Sequence, residues 1–112
     1  MYDGYVRKFP KKERVRERME WIVKAQNRLA QKIKGVMPAV FKGDYIEMRV
    51  PPGIHGKEFS RKFIRGRIDP GIAAIVQQIR EYGYNLEDVG QSNIYYDEAE
   101  DQVWIIDYSH LT

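Results

Sequence analysis

Cysteine is absent from the 112 residues and histidine occurs only twice. Without cysteine there is no disulfide framework and no thiolate metal centre, which fits a reducing compartment such as the cytoplasm. His55 and His110 stand too far apart in sequence to form a zinc set. Ser92 or Ser109 with His110 lacks both a third member and the glycines of a nucleophile elbow. No apolar run approaches the roughly 20 residues that span a bilayer, and the first residues are charged and aromatic instead of secretory. A cytoplasmic protein that does not enter the membrane is expected. Cations are missing from one end. Residues 81–112 hold eight acids and no Lys or Arg, whereas residues 1–35 hold eleven Lys or Arg against four acids, and residues 36–80 hold eight against four. The net charge of +3 therefore hides a basic front and an acidic end, which suit intramolecular attraction or two faces of opposite potential.

Hydrophobic residues make up 43% of the chain, enough for one domain, 1–112, that buries roughly two-thirds of its unfolded surface. Tyr5, Val6 and Phe9 predict a short strand within Tyr2 to Phe9. From Lys11 to Lys34, Val15, Met19, Ile22, Leu29 and Ile33 recur at helical spacing, with Pro10 suited to the start and Gly35 to the end. Gln26 falls on this apolar stripe and must find a partner. Met37 to Phe41 and Tyr45 to Val50 flank Lys42-Gly43-Asp44 as a hairpin, ended by Pro51-Pro52-Gly53. In Ile54 to Ile68 the four-residue spacing of Phe59 and Phe63 predicts a short amphipathic helix. Asp69-Pro70 suits the cap and first turn of a helix through about Tyr82, with Ile72, Ile75, Val76 and Ile79 inward. Ile94 to Tyr96 and Val103 to Ile106 predict a second hairpin about the acidic segment Asp97 to Gln102. The fold class is α+β: a long N-terminal helix and a second helix packed on two β-hairpins.

Around that last hairpin three polar side chains recur at fixed offsets. Asp88 is followed after four residues by Asn93, then by strand, turn and strand, then by Asp107. Oxygen ligands of this kind suit Mg²⁺ completed by phosphate. The order resembles the catalytic core of the protein-kinase-like superfamily, including its aminoglycoside- and lipopolysaccharide-kinase relatives. The resemblance implies Asp88 as the residue that orients or deprotonates the acceptor, Asn93 as a metal ligand and Asp107 as the main Mg²⁺ ligand on ATP. It also implies Lys8 as the phosphate-binding lysine, and Val50 or Gly53 as the backbone donor to adenine, because Pro51 and Pro52 carry no N–H. Glu17 and Glu20 are the helix acids that could pair with Lys8. Departures from the pattern are plain: Leu86-Glu87 stands for His-Arg, Asp107-Tyr108-Ser109 for Asp-Phe-Gly, no glycine-rich loop precedes Lys8, and only five residues follow Asp107. A kinase-like module of reduced or absent phosphotransferase activity is the expectation.

Two other classes of function fit the same residues. One is a non-catalytic module, for instance phage-encoded, that binds a protein partner or a second copy of itself. The other is a nucleic-acid binder that uses the basic N-terminal helix and the Phe59 to Arg67 segment, where cations alternate with aromatics.

Overall fold

The computed structural model describes residues 4–112. Within the strand expected at the N-terminus, Tyr2 lies outside that range. The long helix, α1, spans Glu13–Ala30 and buries Met19, Ile22, Val23, Ala25, Gln26 and Leu29. It is shorter than its apolar spacing suggests. Lys12 is extended, so the helix starts three residues after Pro10, and it ends before Ile33. Ile33 is still buried, because its N–H and that of Lys32 both reach back to the Leu29 carbonyl and fold the chain under the helix end. Gln26 is the one fully buried polar side chain among the described residues. Its Nε2 donates to the Met37 carbonyl at 2.7 Å, the partner that its position on the stripe requires.

The first hairpin, β2 (Val40–Phe41) and β3 (Ile46–Arg49), is joined on the other side of β3 by β1 (Tyr5–Lys8), giving an antiparallel sheet of order β1-β3-β2. Register decides which side each residue faces. Val6 pairs with Met48 and Lys8 with Ile46, whereas Arg7 pairs with Glu47. Paired residues share a face. Arg7 and Glu47 therefore meet on the outer face, with Nε 3.0 Å from Oε2, and Lys8 stands on the inner face beside two buried residues, Ile46 and Met48.

The second hairpin, β5 (Ile94–Asp97) and β6 (Gln102–Ile105), also gains a third strand, β4 (Ile54–His55), in an antiparallel sheet of order β4-β5-β6. β4 has no counterpart among the strands expected from the sequence. Two residues leave no periodicity to detect, and the turn before it is set by Gly53, whose φ is +101°. The helical run after it differs as well. Ser60 caps a single turn, α2 (Arg61–Phe63), through its hydroxyl, and the chain continues through a π-helical segment, Ile64–Ile68, into α3 (Asp69–Glu81). Asp69 is thus already helical and is not the cap. Phe59 packs from ahead of the helix, stacked at 4.9 Å on Phe63, and both rings meet Tyr96 edge-on at 5.8 Å. Ile64 and Ile68 are buried and the cations between them are exposed, as an amphipathic helix requires.

The two sheets are linked through residues 33–36. Ile105 donates its N–H to Gly35 at 2.9 Å, and Val36 forms a parallel bridge to Ile105. A Cβ on Gly35 would meet the Val103 carbonyl oxygen at 2.7 Å and Ile75 Cδ1 at 2.5 Å, so glycine there permits a close crossing instead of ending a helix. Apolar residues from α1, both sheets and α3 make one core. The result is an α+β fold. No helix among the described residues is long and apolar enough to cross a membrane.

Candidate functional site

Leu86 is buried and anchors the loop that carries Asp88. One residue before it, Asn85 exchanges two backbone hydrogen bonds with Thr112, at 2.8 and 2.9 Å. Asp88 itself is exposed with φ +58°, a left-handed position that aspartate tolerates better than most residues. Its side chain has no partner among the described residues. Asn93 closes a 3-10 turn, Gln91–Asn93, and leads directly into β5. Its carbonyl accepts the N–H of Ile106 at 2.9 Å, which continues the β5–β6 pairing by one position and brings Asn93 beside the residue preceding Asp107.

Asp107 follows Ile105 and Ile106, both buried, and is itself half-buried. Its Oδ1 accepts from the Ser109 N–H at 2.9 Å and from the Ser109 hydroxyl at 2.8 Å. This turn holds the carboxylate in place. Oδ2 has no hydrogen-bond partner among the described residues.

Lys8 and Asp107 line one narrow cleft between sheet β1-β3-β2, α1 and the segment after β6, together with Gln26 and Tyr108. No ion pair engages Lys8 among the described residues. Glu17 and Glu20 lie exposed on α1, and the buried polar position on that helix is Gln26, already bonded to Met37. The lysine–glutamate pair that the resemblance implies is therefore not formed. The cleft encloses about 30 Å³, room for a water or an ion and not for a nucleotide.

The other residues singled out by the sequence do not line this cleft. Val50 gives its N–H to the Gly4 carbonyl at 2.9 Å, so its amide is committed to the sheet edge. Gly53 is exposed at the turn into β4. No group of three or more His, Cys, Asp or Glu gathers to hold a metal among the described residues. Asp107 and Asn93 carry oxygen ligands of the type that suits Mg²⁺, but only the Asn93 backbone, through its bond to Ile106, is tied to the segment that bears Asp107.

No family model matches this sequence, and no curated protein does. Among solved structures, a co-crystal structure of WbdD and the kinase inhibitor LY294002 matches 98% of this chain and 29% of its own, with a TM-score of 0.54 and 18% sequence identity. The fold is similar to part of a kinase-like protein. The chain spans less than a third of WbdD, so the likeness concerns the arrangement of elements and not the activity of the whole.

Tyr108 is a feature of this segment that the sequence pattern does not single out. Only the residue after Asp107 could occupy this position, yet nothing in the local pattern separates a buried tyrosine from an exposed one. It is 2% exposed, and its hydroxyl has no partner among the described residues. Burial first, and the nearby Asp107 carboxylate second, push its phenol well above the ordinary value near 10. The sign of the linkage follows. The unfolded phenol ionises near pH 10 while the folded one stays neutral, so its contribution is complete below about pH 10 and is lost above it, by up to about 1.4 kcal/mol per pH unit. Tyr96, raised by burial and by its bond to Asp101, acts in the same direction. Denaturant titrations from pH 8 to 11 are expected to show a steeper alkaline loss in the wild type than in Tyr108→Phe. Parallel curves would show that the buried phenol does not govern alkaline stability.

Proposed function

We propose that this chain is a kinase-like module that binds a Mg²⁺-nucleotide at the mouth of the Lys8–Asp107 cleft, with little or no phosphotransferase activity of its own. The observation that carries this reading is that an inward-facing lysine and a half-buried aspartate line one cleft, in a fold similar to part of WbdD. A lysine on the inner face of a sheet is costly unless its charge has a use. The same cleft is lined by a carboxylate already oriented by Ser109. Lys8 would meet phosphate oxygens; Asp107 through Oδ2, and Asn93, would hold the metal, which neutralises phosphate charge when bound.

The committed amide of Val50 leaves the donor role towards a base to Gly53. Asp88, exposed in its left-handed turn, would be the residue that orients an acceptor hydroxyl. Phosphoryl transfer depends on a platform that positions the acceptor, and Asp88 does not line the cleft that holds Lys8 and Asp107. A partner or a second copy would have to provide it.

Calorimetric titration of the full chain with ATP tests the reading. Mg²⁺-dependent binding is expected in the wild type, weakened about tenfold or more in Lys8→Met, where a charge-assisted bond to phosphate is lost. Equal binding in both proteins, or none in the wild type, would remove the nucleotide from this cleft.

A further inference from the structure

A second and larger pocket, about 520 Å³, opens beside the cleft and shares Pro10, Val15 and Ser109 with it. Neither Lys8 nor Asp107 belongs to its wall. Four cations from the start of α1 do: Lys11, Lys12, Arg14 and Arg18. Arg18 is fixed by two contacts, a bond from Nη2 to the Leu111 carbonyl at 2.5 Å and a guanidinium position 5.0 Å from the centre of the Trp21 ring. Lys11, Lys12 and Arg14 have no ion pair among the described residues. Glu87 is the one acidic side chain on the wall, and its Oε1 already accepts from Asn85.

Two further features favour negative charge in the same place. Lys12 is the N-cap of α1 and makes no side-chain capping bond, so the first N–H groups of an 18-residue helix lack side-chain acceptors beside this pocket. The hydroxyl-bearing residues Ser109 and Thr112 also line the pocket. Four like charges around one concavity repel one another unless an anion sits among them. The volume falls in the range of small-molecule sites.

We infer that this pocket binds a small molecule carrying several phosphate or comparable anionic groups, at a site separate from the Lys8–Asp107 cleft. A nucleic-acid backbone fits less well. It calls for an open basic stripe, whereas here the cations face a concavity closed on one side by Glu87 and the segment from Ser109 to Thr112.

Inorganic tripolyphosphate is the probe, titrated calorimetrically into the full chain at about 0.15 M ionic strength, where a Debye length near 8 Å screens loose attraction. Lys12→Glu with Arg14→Glu is compared with Lys24→Glu plus Lys34→Glu, two exposed lysines of the same net charge change outside the pocket. Affinity is expected to fall about tenfold to a hundredfold in the first pair and to stay within about twofold in the second. Circular dichroism checks folding, and Lys12→Gln with Arg14→Gln replaces the first pair if charge reversal prevents it. Asp107→Ala is expected to retain tripolyphosphate binding, whatever it does to ATP. Equal losses in the two charge-reversed proteins, no loss in either, no binding by the wild type, or loss in Asp107→Ala would each overturn the inference.

Discussion

Gly53→Ala is expected to destabilise the fold by about 3 kcal/mol or more, lowering the thermal midpoint by on the order of 15 °C. Two costs coincide at this position. Its φ of +101° is one that alanine adopts only with strain, and a Cβ would stand 2.2 Å from the Tyr96 carbonyl oxygen and 2.7 Å from the Asp97 Cα. Both neighbours are backbone of β5, so neither can swing aside, and relief requires moving β4 away from its sheet. Gly43→Ala supplies the comparison. Gly43 has a similar φ, +94°, but a Cβ there meets nothing within 4 Å, so only the conformational cost, about 1 kcal/mol, should appear. Denaturant unfolding of the two variants checks the difference, and equal losses would show that the close approach to Tyr96 carries no weight.

The second large effect is expected at Ile105, where truncation to alanine should cost about 2 to 5 kcal/mol. Ile105 is fully buried, pairs with Ile94 across the hairpin and carries the backbone link to Gly35 and Val36. Its side chain is packed by elements from both halves of the fold, so the space left by truncation is ringed by residues that cannot all close in at once. Because Asp107 lies two residues further on, the variant should also weaken ligand binding at the cleft. Urea unfolding measures the first effect; a loss below about 1 kcal/mol would mean that the site collapses around the smaller residue.

What the sequence made legible was set by local chemistry. The apolar stripe of α1, the hairpin turns and the burial of Gln26 against a polar partner all follow from spacing and from satisfying hydrogen bonds. The order of elements suggested a kinase-like core, and the likeness to part of WbdD bears on that order. What remained hidden depends on residues distant in sequence. β4 is two residues long and exists because Gly53 lets the chain run against Tyr96. The helix expected to begin at Asp69 begins earlier, because Ser60 caps a turn that the π-helical segment then carries forward. Glu17 and Glu20 looked able to reach Lys8, yet the strand register turns Lys8 inward while both glutamates lie exposed. Of the residues proposed for the site, Lys8 and Asp107 share a cleft, Asn93 reaches it only through its backbone bond to Ile106, and Asp88 stands outside.

The basic middle segment and the acidic end meet at one contact in the folded chain. Arg67 lies 3.8 Å from Asp101 and donates to the Tyr96 hydroxyl, which in turn bonds Asp101. The pair is largely exposed, so it contributes little to stability by itself. Most of the cations on α1 find no such partner, which is why the start of that helix remains a place for an external anion.

The most direct measurement is thermal unfolding of the wild type and Asp107→Ala, each with and without saturating ATP and Mg²⁺. Ligand at about 100 times its dissociation constant adds roughly 2.7 kcal/mol, a rise in midpoint on the order of ten degrees for a domain of this size. The account predicts that rise in the wild type, its dependence on Mg²⁺ and its loss in Asp107→Ala. An unchanged midpoint in the wild type, or an equal rise in the two proteins, would contradict a Mg²⁺-nucleotide site built on Asp107.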